Sequence, residues 1–272
     1  MNILIIGGGN MGATYAKSFL RGQVTAAATM HILEKNPAKA AQLATRGLGE
    51  VSSDAERLVP AADLVVLAVK PQDAPALFAS LRPLVHDHQV VLSIMAGVTI
   101  ATIAEGIGVA KVVRAMPNLP AQVGKGMTAY TASAAVTRLE LATVQNLLAT
   151  TGKNVYVSRE GMLDAATAVS GSGPAYVFYF MRAMMARAEA LGFTASEAEL
   201  LVLQTFAGGI GLYQASDLDC DEWIARVSSK GGTTEAAMRS FDASDVAGAV
   251  ERGLQAAFDR AAELGRSPGP AG

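Results

Sequence analysis

From residue 1 to about 158, short apolar runs alternate with stretches of helical periodicity. The runs "NILIIG" (2–7), "MHILE" (30–34), "DLVVLAV" (63–69), "QVVLSI" (89–94) and "KVVRAM" (111–116) predict strands. "MGATYAKSFLRG" between the first two predicts a helix closed by Gly22, and a helix opened by Pro37 runs to about Arg46. "GMTAYTA" and "NVYVS" predict later strands, with a helix near 137–150 between them. Unbroken Val, Ile and Leu runs between helices indicate parallel strands covered on both faces. The expectation is a doubly wound α/β sheet over residues 1–158.

From about 159 the strand signal stops. Ala-, Leu- and Met-rich sequence predicts helices near 160–169, 174–191, 196–215, 219–227, 233–240 and 243–264. "FAGGIGLY" puts three glycines inside one of them, at a cost of about 1 kcal/mol each relative to alanine. Close approach of another helix is the natural compensation. Few of these helices show one wet face, so residues 159–272 need a further surface to cover them. A dimer formed through this all-α half is expected. The tail "RSPGPAG" is Pro/Gly-rich and is expected to be disordered.

Composition narrows the function. The chain has 272 residues and a formal net charge of −2, without the basic excess of a nucleic-acid binder. Its most apolar stretch, "AYVFYFMRAMMARAEALG", contains Arg182, Arg187 and Glu189, and so predicts a buried helix rather than a membrane span. The chain starts directly as a strand, with no charged region ahead of its apolar run. The single cysteine, Cys220, cannot form an intrachain disulfide or a zinc cluster, and is expected to be an inert packing residue. A cytoplasmic protein is the expectation.

"IIGGGNMG" sets Gly7, Gly9 and Gly12 in G-x-G-x-x-G spacing after the first strand, with Asn10 and Met11 opening the helix. Gly7 permits the tight turn, Gly9 lets a pyrophosphate approach the backbone, and Gly12 lets the helix pack. The helix N-terminus offers free N–H groups and positive dipole to the phosphates. Glu34, at the end of the second strand, would accept hydrogen bonds from ribose hydroxyls and repel a 2′-phosphate. Lys35, Asn36 and Lys39 follow at once and could hold that phosphate.

The acceptor of a hydride is less direct. Carbonyl reduction needs an acid to protonate an alkoxide. His31 lies inside a strand, and His86 and His88 lie in a turn before one; none follows the carboxyl end of a strand. No metal site is expected. An imine relaxes the requirement, because its nitrogen arrives protonated and needs only an orienting hydroxyl. "VSSKGGTTEAAM" (227–238) holds Ser229, Lys230, Gly231, Gly232, Thr233 and Thr234 where a helix begins. An ordinary helix cap and a carboxylate cradle both fit. "VSGSGPAY" (169–176) breaks two helical runs at Gly171, Gly173 and Pro174, either as a plain helix break or as room for a ligand.

Taken together, "GGGNMG", "AVKP" (68–71), "SIMAG" (93–97), "RAMPNLP" (114–120), "EGMLDAATAVSGSGPAY" (160–176) and "SSKGGTT" (228–234) resemble the pyrroline-5-carboxylate reductase family over nearly the whole chain. The resemblance implies a Rossmann-type sheet followed by an all-α dimerisation domain. It implies reduction of 1-pyrroline-5-carboxylate to L-proline, with NADPH favoured and NADH as the second candidate. Ala68, Val69, Lys70, Pro71, Ala96, Gly97, Met116, Pro117 and Asn118 would lie beside ribose and nicotinamide. Ser229, Gly232 and Thr233 would bind the substrate carboxylate, with Lys230 and Gly231 in the same loop. Thr234 would hydrogen-bond the ring nitrogen. An intertwined homodimer is implied, with each site drawing on both subunits, and some members of the family assemble dimers into decamers. Lys230 stands where the family commonly has proline. A 3-hydroxyacid dehydrogenase would need a lysine acid after its Gly-Ser-Gly helix, and "SGSGPAYVFYFMR" has none. A nucleotide-binding regulatory protein without turnover would have no need of the 228–234 loop.

Overall fold

The computed structural model describes residues 1–266 of the chain. The rest of the "RSPGPAG" tail, where disorder is expected, lies outside the described residues. Strands are β1 (Ile3–Ile6), β2 (Met30–Leu33), β3 (Glu50–Ser52), β4 (Leu64–Leu67), β5 (Val90–Ser93), β6 (Val112–Met116), β7 (Gly126–Ala132) and β8 (Gly152–Tyr156). They form one sheet in the order β3-β2-β1-β4-β5-β6-β7-β8. The helices interleaved with them are α1 (Asn10–Arg21), α2 (Pro37–Ala44), α3 (Ala55–Leu58), α4 (Ala74–Leu81), α5 (Ile100–Ile107) and α6 (Arg138–Ala149).

The apolar runs follow from burial on both faces. On one side Ile3 and Ile5 pack with Tyr15 and Phe19 of α1 and with Leu147 and Leu148 of α6. On the other, Leu4 and Ile6 pack with Phe78 and Leu81 of α4 and with Ile103 and Ile107 of α5. Alternate strand residues point to opposite faces, so a strand covered on both must be apolar throughout. Two features depart from the sequence pattern. β7 runs antiparallel to β6, although the remaining pairs are parallel. β3 is three partly exposed residues, too short and too polar to show a period.

By internal contacts the chain forms two compact units, Met1–Ser172 together with the stretch from Ala257, and Gly173–Ala256. In the first, α7 (Met162–Ala166) runs into a π-helical turn, Thr167–Gly171, closed by Ser172 N–H donating to the Thr167 carbonyl at 2.8 Å. The break expected at Gly171 is therefore a wide helical turn. The second unit holds α8 (Gly173–Ala190), α9 (Ala195–Gln214), α10 (Cys220–Val227), α11 (Thr233–Ala243) and about half of α12 (Val246–Arg266). α8 and α9 lie side by side, and Thr194 and Glu197 form a capping box at the start of α9.

Three expectations change here. α8, expected to be a buried helix, has no buried residue within this chain, and Phe178, Tyr179 and Leu200 are exposed. Nothing lies within 4 Å of a Cβ built on Gly208, Gly209 or Gly211, so the close approach expected for them is not made inside the chain. Cys220, expected to be packed, is exposed within this chain at the first turn of α10, beside the exposed Asp221 and Glu222. No helix among the described residues is long and apolar enough to cross a membrane.

Candidate active site

The glycine turn leaves β1 at the point where the sheet order reverses, since β1 lies between β2 and β4. Gly7 has φ +101°, and a Cβ there would sit 2.7 Å from the Ala68 carbonyl oxygen. A Cβ on Gly12 would collide with the Gly7 carbonyl, so α1 reaches the turn only with glycine at that position. Gly9 differs: a Cβ there would meet nothing nearer than Lys39 Nζ at 4.0 Å. It caps α1, and no side chain satisfies the first-turn amides. Open space over an uncapped helix start fits a pyrophosphate.

Beside the turn a cavity of about 420 Å³ runs between α1 and α2. Gly8, Gly9, Asn10 and Lys39 line it, and so do Lys17, Arg21 and Arg46. Sequence reasoning missed the last three. Lys17 and Arg21 lie seven and eleven residues past Asn10 on one face of α1, a spacing that could have shown them. Glu34 is 7% exposed. Its Oε2 accepts from Gly8 N–H at 3.1 Å and lies 3.0 Å from Lys39 Nζ, while Oε1 accepts from Asn36 N–H at 3.0 Å. Burial alone would raise this carboxyl, but the Asn36 amide, Lys39 and the Gly8 amide outweigh it and hold it below the usual range. Lys35 is exposed.

The next segments leave β4, β5 and β6. Ala68 N–H donates to Ile6 at 2.9 Å and Ile94 N–H to Leu67 at 3.1 Å, which sets these strand exits side by side. Ala68 and Val69 are half-buried, and Lys70 and Pro71 are exposed. Ala96 is half-buried, and Gly97 has φ +75° with the Leu264 backbone 3.2 Å from its Cβ position. At the end of β6, Pro117 is buried and Met116 half-buried. Met116 Cε lies 3.0 Å from a Cβ built on Gly171, so the Met116 side chain packs closely on the π turn. Both ends of the Asn118 amide are engaged: Nδ2 donates to the Ser170 carbonyl at 2.9 Å, and Oδ1 accepts from Met127 N–H at 2.8 Å. Arg114 pairs with Glu160 at 2.9 Å and Asp164 at 3.6 Å, and Glu160 also accepts from Ile100 N–H at 2.8 Å. Neither this ion group nor the Ser170 contact was legible from spacing.

In the helical unit the 228–234 loop joins α10 to α11. Gly231 has φ +74°, and Gly232 caps α11 with no side-chain hydrogen bond. No hydroxyl of the loop caps the helix, which leaves the amides of Thr233 and Thr234 without a side-chain acceptor. Gly232 N–H donates to the Ser229 carbonyl at 2.9 Å, and Gly231 N–H donates to the Glu235 carboxylate. Those two amides therefore hold the loop's own shape, and Glu235 is a participant that sequence reasoning missed. Ser229, Lys230 and Thr233 are exposed and Thr234 half-buried. The Ser228 hydroxyl is buried without a hydrogen bond among the described residues. Elsewhere His31 pairs with Glu50 at 3.0 Å, and His86 stacks on His88. Among the described residues no group of three His, Cys, Asp or Glu could hold a metal ion.

A doubly wound sheet with an open glycine turn at its switch point defines a dinucleotide-binding α/β protein, here continued by a helical unit. Comparison with known proteins narrows the class. Residues 160–264 match the pyrroline-5-carboxylate reductase dimerisation model, and residues 2–97 match the model for NADP oxidoreductase, coenzyme F420-dependent. The pyrroline-5-carboxylate reductase of Pseudomonas aeruginosa is 38% identical over 269 residues, covering 98% of each chain. The structure of a pyrroline-5-carboxylate reductase from Coxiella burnetii superposes with a TM-score of 0.90 at 31% identity, over 98% of this chain and 99% of that one. The Plasmodium falciparum pyrroline carboxylate reductase with NADP bound gives 0.88 at 25% identity, over 97% and 98%. The chain belongs to the pyrroline-5-carboxylate reductase family.

Proposed function

We propose that this chain reduces 1-pyrroline-5-carboxylate to L-proline with a nicotinamide dinucleotide, by hydride transfer to a cyclic imine or iminium. One observation carries the reading: the turns after β1, β4, β5 and β6 sit at adjacent carboxyl ends, beside an uncapped helix start at the switch point. NADPH is the favoured cofactor, with NADH as the second candidate; the NADP-bound relative supports that order.

In this reading residues 1–158 form the dinucleotide domain and 159–272 the substrate and dimerisation domain. The amides of Gly7, Gly9, Asn10, Met11 and Gly12 hold the pyrophosphate, and Glu34, Lys35 and Asn36 border the adenosine ribose. Ala68–Pro71, Ala96, Gly97 and Met116–Asn118 border the other ribose and the nicotinamide. When bound, the nicotinamide supplies the hydride. The 228–234 loop holds the carboxylate through the uncapped amides at the start of α11 and the hydroxyls of Ser229 and Thr233, with Lys230 adding charge. Gly231 and Gly232 shape that loop. The Thr234 hydroxyl orients the ring nitrogen, which already carries its proton as an iminium, so hydride addition at the adjoining carbon completes the amine without an acid.

The exposed apolar faces of α8 and α9 support a homodimer, as does the match to a dimerisation model. Assembly of dimers into a decamer and a cytoplasmic location complete the proposal. The test is NADPH or NADH oxidation by purified protein supplied with racemic 1-pyrroline-5-carboxylate. Stoichiometric proline is expected. Folded protein that binds a cofactor yet oxidises neither sinks the reading.

A further inference from the structure

Glu34 ends β2, where a carboxylate commonly accepts ribose hydroxyls and excludes a 2′-phosphate. Here it is turned inward. A carboxylate has about four lone-pair sites. Three internal donors approach them: the amides of Gly8 and Asn36 and the ammonium of Lys39. Glu34 thereby braces the glycine turn, with its charge paired.

Lys39 is oriented by the helix it stands on. Asn36 caps α2 by accepting Lys39 N–H at 3.1 Å, and Pro37 occupies the first turn. The residue three past the cap is thus carried back over the turn. Its Nζ lies 3.0 Å from Glu34 and 4.0 Å from the Cβ position of Gly9, at the edge of the cavity. An ammonium has three donors, so the contact to Glu34 leaves two. Lys17, Arg21 and Arg46 line the same cavity, and no acidic side chain does. Lys35 precedes the cap, is exposed, lines no part of the cavity and forms no ion pair among the described residues.

We infer that Lys39, and not its neighbour Lys35, is the specificity-determining residue through which this chain prefers a dinucleotide with a phosphate monoester on its adenosine ribose. The inference rests on the dinucleotide reading above. Lys39 acts twice: it neutralises Glu34, which would otherwise repel the phosphate, and it presents a point charge to the dianion.

The test uses full-length protein and two cofactor fragments, adenosine 2′,5′-bisphosphate and adenosine 5′-monophosphate, titrated calorimetrically. The wild type should bind the bisphosphate more tightly. Lys39→Gln should weaken the bisphosphate about tenfold, the scale of one charge-assisted contact, and leave the monophosphate within about twofold. Lys39→Arg should restore the preference, and Lys35→Gln should keep it. Should Lys39→Gln fail to fold, the double variant Glu34→Gln/Lys39→Gln leaves no unpaired carboxylate; with the repulsion gone and only the point charge lost, it should weaken the bisphosphate by less than the single variant and still leave the monophosphate within about twofold. Equal loss for both fragments would mean that Lys39 only braces the turn, and overturns the inference. So does a preference that disappears in Lys35→Gln, or a wild type that binds both fragments alike. Pyrroline reduction by the wild type is assayed separately. Turnover without fragment selectivity removes this inference alone; selectivity without turnover removes the proposed reaction alone.

Discussion

Arg114, 5% exposed at the centre of β6, holds Glu160 at 2.9 Å just before α7. Asp164 completes the group at 3.6 Å, and Glu160 also takes the first amide of α5. One guanidinium thus fixes a strand, the start of one helix and the approach to another. Arg114→Leu strands two carboxylates and is expected to cost about 3 kcal/mol. Both carboxylates are partly exposed, which keeps the loss at the low end of the range for buried pairs. Urea denaturation at constant m-value measures it; a loss below about 1 kcal/mol would show that water replaces the guanidinium.

Asn118 tests a different kind of role. Its amide bridges β7 to the π turn, so Asn118→Ala leaves the Met127 N–H and the Ser170 carbonyl without partners. A loss of about 2 kcal/mol is expected. Asn118→Asp keeps the acceptor for Met127 but sets a carboxylate oxygen against the Ser170 carbonyl, so it should cost at least as much. If Asn118→Asp instead weakens NADPH binding while stability holds, the side chain serves the cofactor directly.

Thr234→Val keeps the shape of the helix start and removes the hydroxyl. A hydrogen bond to a charged partner is worth about 1.5–3 kcal/mol, so turnover of the pyrroline should fall about 10- to 100-fold. Affinity for NADPH should stay the same. An unchanged kcat would remove Thr234 from the reaction.

Glu140 links stability to pH. Its hydrogen bond from Lys111 at 2.7 Å holds its carboxyl below the usual range; burial opposes this, and the Thr137 contacts add to it. A depressed folded pKa gives stability that is complete above the ordinary glutamate value, about pH 4.3, and is lost as pH falls through the folded value. Glu140→Gln should therefore flatten the decline in melting temperature below about pH 4.3. An unchanged acid limb would falsify the assignment. Thr137→Ala, which removes the other half of the capping box, should cost about 1 kcal/mol at neutral pH.

Much of the fold was legible because the residues involved have few alternatives. Gly7 and Gly12 are required where a Cβ would strike a carbonyl, and such turns are written in glycine. The 228–234 loop stood out because paired glycines and hydroxyls disfavour a helix interior. By contrast β3 is too short for a period, and the antiparallel β7 shows no alternation that would set its direction. The π turn depends on a hydrogen bond from Ser172 to Thr167, which helix propensity does not encode.

The sequence by itself determined the strands other than β3, the glycine turn, the starts of the helices it named and the family, because each depends on residue type over a few neighbouring positions. Only the tertiary structure decided which groups those residues face. Glu34 looks outward in a motif and turns inward in the fold, since Gly8 and Lys39 come within hydrogen-bonding distance once β1 and β2 pair. Arg114 finds Glu160 across forty-six positions, and Asn118 finds Ser170 across fifty-two. Such partners are set by strand order and helix packing, and no local pattern carries them.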